Sequence, residues 1–138
     1  MDDEESLRRF GLRPDRAHLD EIRGLLGEHT ERERRAQGGG DTELMKLCCV
    51  QLFNSGDLDD ALLVWSAKES GFDAACSIDI ELLLGHGLET TKAHLAAHPS
   101  PAAAAALHRL GTLESEGAFD AFSAEEQSAA YDRYYEEE

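Results

Sequence analysis

The sequence predicts an all-α protein, and two observations lead to that prediction. Apolar residues recur every three to four positions along most of the chain, and alternation of apolar and polar residues is almost absent. Alanine, leucine and glutamate are plentiful while β-branched residues are few, a composition that favours helix. The 138 residues fit one domain. We expect a single compact bundle, or a short stack of hairpins as in α-solenoids, with about six to seven antiparallel helices.

The first predicted helix covers residues 15–36 and follows an acidic lead, residues 1–14, that we expect to be flexible. Its apolar stripe occupies only the first half, and i,i+4 pairs such as Glu28 and Arg32 support the second half. The triple glycine at 38–40 ends the helix and is the best candidate for a flexible joint. Residues 15–138 are predicted to form one helical domain.

The second predicted helix, over residues 42–54, is expected at the centre of the domain. Apolar residues cover nearly its whole circumference, which is typical of a buried helix, and Asp41 or Thr42 caps its start. Its two cysteines, Cys48 and Cys49, together with Cys76, are interpreted as reduced core residues of a cytoplasmic protein.

The next two helices are predicted over about residues 58–69 and 73–84. The stripe of the first of these includes Ala61 and Trp65 and turns Asp60 toward solvent. The second is expected to bury Phe72 and Cys76 on one face.

Three further helices complete the chain, over about residues 89–97, 101–116 and from Ser123 onward. The helix at 101 follows Ser100 and has Pro101 at its first position, a favoured arrangement. The last helix begins with a capping box formed by Ser123 and Glu126.

The net charge of −16 is unevenly distributed and restricts the partners. Half of it lies in residues 113–138, which carry nine acidic residues and one basic residue. Nucleic acid and anionic membranes are excluded as partners because both need a positive protein surface, whereas a basic protein partner is favoured. The acidic start does not resemble a signal peptide, and no apolar run approaches the ~18 residues of a membrane span, so we expect a cytoplasmic protein.

Asp79 is the carboxylate most in need of a partner, because it projects from the predicted apolar face of its helix. We predict an ion pair between Lys68 and Asp79 beneath Trp65. The pair is either a contact that specifies the fold or part of a ligand site. The residues of this candidate patch are Trp65, Lys68, Asp73, Asp79, Glu81 and His86.

No catalytic motif accompanies this patch. His94 and His98 have the i,i+4 spacing of metal ligands, but the sequence supplies no further ligand at a characteristic offset. We therefore predict no metal, no cofactor and no enzymatic activity. The acidic tail offers a second candidate surface, formed by Glu125, Glu126, Tyr131, Tyr134 and Tyr135.

Residues 58–95, LDDALLVWSAKESGFDAACSIDIELLLGHGLETTKAHL, resemble a set of small uncharacterised bacterial helical proteins. The shared pattern is LLxWxAKxxxFDxxxxIDxxLLxGxGL, and it covers about a quarter of the chain. The resemblance implies a single helical domain and implies no activity. The matching residues are Trp65, Ala67, Lys68, Phe72, Asp73, Ile78, Asp79, Leu82, Leu83, Gly85 and Gly87.

Three functions follow from these observations. The first is a small acidic module that binds a basic protein, for example an inhibitor of the immunity or antitoxin type. The second is a helical scaffold, adaptor or regulatory subunit, with a homodimer formed through Trp65 and the apolar second helix. The third is a small-ligand binder or enzyme centred on Lys68 and Asp79.

Overall fold

The predicted all-helical class is confirmed. The computed structural model describes residues 1–136, and within that part of the chain it contains eight α-helices, one 3-10 turn and no strand. The helix count exceeds the six to seven expected. The helices are α1 Asp3–Phe10, α2 Arg16–Arg35, α3 Thr42–Ser55, α4 Asp60–Lys68, α5 Phe72–Ser77, α6 Leu88–Ala97, α7 Pro101–Ser115 and α8 Ala124–Glu136, with the 3-10 turn at Ile80–Leu83.

Several helices begin at the capping residues that the sequence predicted. The side chain of Asp41 accepts a hydrogen bond from the backbone N–H of Leu44 at the start of α3. Ser100 accepts one from Ala103 at the start of α7, and Ser123 accepts one from Glu126 at the start of α8. Each cap satisfies an N–H group that has no partner within its own helix.

Helix α3 lies at the centre of the fold, as its apolar circumference predicts. Every residue from Leu44 to Phe53 except Lys46 is buried. Five other helices, α1, α2, α4, α5 and α8, pack against it. The buried apolar side chains of the described residues, from Phe10 to Tyr135, form one continuous cluster.

The acidic lead, residues 1–14, contains a helix that the sequence did not predict. Residues 3–10 form α1, which Asp2 caps and which packs against α3. Phe10 is buried, and Ser6 accepts a hydrogen bond from Nε2 of the buried Gln51 (3.3 Å). The acidic residues of the first helical turn face the positive end of the helix dipole, which stabilises so short a helix.

The predicted helix at 73–84 is interrupted, which corrects its apolar face. Helix α5 ends at Ser77, Ile78 is extended, and the chain resumes as a 3-10 turn. The break changes which side chains face inward, so Ile78 is fully buried while Phe72 is 69% exposed. Cys76 is exposed for the same reason and is not a core residue.

The triple glycine ends α2 as predicted, but its backbone is tied down. The carboxylate of Glu33, which is only 1% exposed, accepts hydrogen bonds from the N–H groups of Gly38 and Gly40 (both 3.1 Å). Gly71 packs against the same carboxylate, where an added Cβ would lie 2.8 Å from Oε2. These contacts hold the loop against α2 and the start of α5.

Candidate functional site

Lys68 does not pair with Asp79, and the predicted ion pair was wrong. The Lys68 Nζ donates hydrogen bonds to the carbonyl oxygens of Ala75 (2.6 Å) and Ile78 (2.5 Å). These carbonyls lie at the C-terminal end of α5, where the helix dipole favours a cation. Lys68 therefore closes a short helix whose carbonyls would otherwise lack partners.

Asp79 instead contacts the C-terminal helix. Its Oδ2 accepts a hydrogen bond from the hydroxyl of Tyr131 (2.6 Å), and Nε2 of Gln127 donates to the same hydroxyl (3.1 Å). Burial raises the pKa of Tyr131, and the hydrogen bond to the Asp79 carboxylate raises it further. Asp79 was predicted to belong to the Lys68 patch and Tyr131 to the acidic tail surface. The structure brings the two residues into one contact.

Of the other residues of the predicted patch, Glu81 lies near this contact, where its charge also raises the pKa of Tyr131. Trp65 is buried and Asp73 is exposed, while Glu81 is half-buried. The exposed ring of His86 donates to the carbonyl oxygen of Gly56 (3.1 Å). Trp65, Asp73 and His86 thus have separate surroundings in the structure.

The two spaced histidines also bind protein groups. His94 Nε2 lies 2.9 Å from a carboxylate oxygen of Asp59, and His98 donates through Nδ1 to the backbone carbonyl of His94 (3.0 Å). Their rings lie with centres 4.4 Å apart. Among the residues that the structure describes, no group of three or more His, Cys, Asp or Glu side chains is placed to hold a metal ion.

Two of the three α8 tyrosines that the sequence suggested as partner-binding anchors are buried in the structure. Tyr131 and Tyr135 are buried in the core, and only Tyr134 is well exposed, at 42%. Lys46 Nζ lies 4.7 Å from the centre of the Tyr134 ring, a cation–π contact that joins α8 to α3. Glu125 and Glu126, in contrast, are exposed as expected.

A second contact between α8 and the rest of the chain was not predicted. Arg13 donates to both carboxylate oxygens of Asp132 (2.9 and 3.1 Å) and to the hydroxyl of Ser128 (2.8 Å). Ser128 in turn donates to Asn54 Oδ1, and the Asn54 amide donates to the carbonyl of Leu12 (both 2.8 Å). One feature of the sequence could have indicated this contact: the N-terminal part of the chain is rich in arginine, whereas the C-terminal part is acidic.

A buried ion pair was also missed. Asp60, expected at the surface, is only 4% exposed and accepts two hydrogen bonds from the guanidinium of Arg23 (2.8 and 2.9 Å). It also accepts one from the backbone N–H of Asp57 (2.8 Å). The hydrogen bond to Asp60 raises the pKa of Arg23, a side chain that is always charged in proteins.

The surfaces proposed for a homodimer are occupied by the chain itself. Trp65 and the apolar residues of α3 lie in the core, so they offer no face to a second copy.

Comparison with known proteins adds no assignment: no protein-family model, no curated protein and no solved structure matches this chain. None of the described helices has the length and apolar character needed to cross a membrane. The proposals below therefore depend on the chain's own residues.

Proposed function

We propose that this chain is a binding module for a basic protein partner, which contacts the outward surface of α8 and the turn before it. We call this surface the acidic face. An inhibitor of the immunity or antitoxin type is the specific form of this function that the charge suits best. The exposed acidic residues of the acidic face are Glu116, Asp120, Glu125, Glu126 and Glu136.

The observation that carries the proposal is the way α8 is fixed to the rest of the protein. Tyr131 and Tyr135 point inward and Asp132 pairs with Arg13, which fixes α8 against the rest of the protein, while Glu125 and Glu126 are exposed in its first turn. A preformed array of charges loses little conformational entropy on binding and attracts a cationic partner from a distance.

The distribution of basic residues supports the same function. More than half of the lysines and arginines form ion pairs with other described residues, so fewer of them are left to offset the charge of the acidic face. The basic residues in such pairs are Arg9, Arg13, Arg16, Arg23, Arg32, Arg34 and Lys92.

The test compares two variants that each remove two negative charges. Glu125→Gln/Glu126→Gln alters the acidic face, and Glu69→Gln/Asp73→Asn alters exposed residues around the α4–α5 turn. The first partner to test is the purified product of an adjacent gene, with binding measured by calorimetry at 50 and 300 mM salt. We expect the first variant to weaken binding about fivefold or more and the second to leave it within about twofold. Equal effects of the two variants, or an affinity indifferent to salt, would contradict the proposal.

A further inference from the structure

An open pocket of about 300 Å³ lies where the start of α8 meets the end of α3. Its volume is at the lower end of the ~300–1,000 Å³ typical of ligand sites, so it suits one long side chain of a partner. Phe53 and Ala124 give the pocket apolar surface, and Glu125 of the acidic face lines it as well. The other lining residues are Arg13, Asn54, Gly85 and Ser128.

The polar side chains of the pocket are engaged within the chain, with the exception of Glu125. Ser128 donates to Asn54, and Arg13 donates to both carboxylate oxygens of Asp132. The Glu125 side chain has no hydrogen-bond or ion-pair partner among the described residues. The group that remains for a ligand is therefore an exposed carboxylate, which accepts hydrogen bonds and carries a negative charge.

The charge around the pocket favours a cation. The positive charge of Arg13 is compensated by Asp132, so Glu125 leaves the lining with an excess of negative charge. The positive end of the α8 dipole corresponds to only about half an elementary charge, which is less than the two charges of Glu125 and Glu126 in its first turn. The net charge of −16 disfavours an anion in addition.

We propose that this pocket receives an arginine side chain of the basic partner, an assignment that rests on the proposed function. The guanidinium pairs with the carboxylate of Glu125, and the methylene groups lie against Phe53 and Ala124. Arginine suits the site better than lysine, because a guanidinium binds a carboxylate with two parallel hydrogen bonds and is less strongly hydrated than an ammonium group.

The probe is Nα-acetylarginine amide, which requires no partner protein. It is titrated at constant ionic strength while the backbone amide resonances of Gly85, Glu125 and Ser128 are followed by NMR. We expect saturable shifts with a Kd on the order of 10 mM. Nα-acetylcitrulline amide, in which a neutral urea replaces the guanidinium, should bind at least fivefold more weakly. The absence of saturation, or equal binding of the two probes, would overturn the proposal.

Glu125 and Glu126 provide a matched pair of variants. Both are exposed in the first turn of α8, and only Glu125 lines the pocket. Each change to glutamine removes one negative charge. We expect Glu125→Gln to weaken binding of the arginine probe at least fivefold and Glu126→Gln to change it less than twofold. Equal effects would show that the probe responds to the charge of the acidic face in general, and the pocket would not be its site.

Ala124→Leu tests the pocket without a change in charge. Leucine adds bulk to the lining and is a good helix former, and Ala121→Leu makes the same change at an exposed residue outside the pocket. We expect Ala124→Leu to weaken binding of the arginine probe at least threefold and Ala121→Leu to leave it unchanged, with the amide spectrum used to check that both variants fold. If Ala124→Leu binds the probe as tightly as the unaltered chain, the arginine side chain does not enter the pocket.

Failure of this proposal can be distinguished from failure of the proposed function. If the partner protein binds through the acidic face and the arginine probe does not bind, the assignment of the pocket is wrong. If the probe binds in the pocket and Glu125→Gln/Glu126→Gln leaves the affinity for the partner unchanged, the proposed function is wrong.

Discussion

At the scale of single residues, buried charge is where sequence reasoning was weakest. The periodicity of α4 placed Asp60 toward solvent, because a carboxylate is normally excluded from a core. The structure buries it because Arg23, 37 positions earlier, reaches it with two parallel hydrogen bonds. Nothing in the local pattern around Asp60 shows that α2 packs across this end of α4. Glu33 is a similar case, since its partners are backbone N–H groups of glycines.

Asp60→Asn is expected to lower the free energy of unfolding by about 2 kcal/mol, as measured by urea denaturation. A buried ion pair that loses one charge typically costs ~3–5 kcal/mol, and the smaller value is expected here because Arg23 keeps Asp20 and Asp57 nearby. The control is Asp59→Asn, the same change at the neighbouring exposed residue, whose loss should stay below ~1 kcal/mol. Equal losses in the free energy of unfolding for the two variants would show that the buried Arg23–Asp60 pair stabilises the fold no more than an exposed carboxylate does.

The cysteines should differ sharply in reactivity. Burial raises the pKa of Cys48 to about 12 and that of Cys49 well above its usual value, whereas Cys76 is exposed. At pH 8 the thiolate fraction of folded Cys48 is therefore about one in ten thousand. A disulfide reagent should modify Cys76 rapidly in the folded protein. Cys48 and Cys49 should react only after unfolding.

Two comparisons test the assignment of those thiols. Cys76→Ser should remove the rapid phase. Raising the pH from 8 to 10 should leave Cys48 and Cys49 unmodified in the folded chain, because burial keeps the reagent away from both thiols. Rapid modification of more than one thiol at pH 8 would contradict the burial of Cys48 and Cys49.

At the scale of helices, the elements that could be predicted are those whose signals are local. Helices α2, α3, α6 and α7 follow from apolar spacing and caps, and their bounds agree with the predictions to within about two residues. Helix α1 was missed because only eight residues form it and its burial depends on contact with α3. The break after Ser77 was missed for a related reason, since Lys68 binds the carbonyl groups there from another helix.

For the candidate sites too, local features could be predicted from the sequence and contacts between distant segments could not. The sequence identified Asp79 as a carboxylate that needs a partner, and it has one, but the partner is Tyr131 and not Lys68. The choice between them depends on where α8 packs, which neither the charge nor the spacing of these residues specifies.

Helix α8 is held by a small set of contacts, and each can be weakened separately. Tyr131→Phe removes the hydroxyl that donates to Asp79, and a hydrogen bond to a charged group contributes ~1.5–3 kcal/mol. We expect amide hydrogen exchange in residues 128–136 to become at least tenfold faster, while α3 keeps its protection. Glu125→Gln, at an exposed position of the same helix, should leave exchange unchanged. Equal acceleration in α3 and α8 would show that α8 does not open independently.

At the scale of the whole molecule, the balance between attraction and repulsion among charges favours repulsion. The ion pairs of the chain are mostly exposed, and exposed pairs contribute only ~0–1 kcal/mol each. The remaining carboxylates repel one another across the surface, and a net charge of −16 on 138 residues leaves that repulsion largely uncompensated.

Added salt should therefore stabilise the folded protein, although it weakens ion pairs. Raising the ionic strength from about 0.01 to 0.15 M shortens the screening distance from ~30 to ~8 Å, which reduces repulsion between separated carboxylates more than attraction within pairs. We expect the melting temperature to rise by a few degrees over this range, measured by calorimetry in sodium chloride. A variant carrying Glu69→Gln, Glu116→Gln, Glu125→Gln and Glu126→Gln has a net charge of −16 + 4 = −12 and should show a smaller rise. A melting temperature that falls with salt would mean that the ion pairs outweigh the repulsion. The excess negative charge would then cost the fold little, and the acidic face could be kept for a partner without loss of stability.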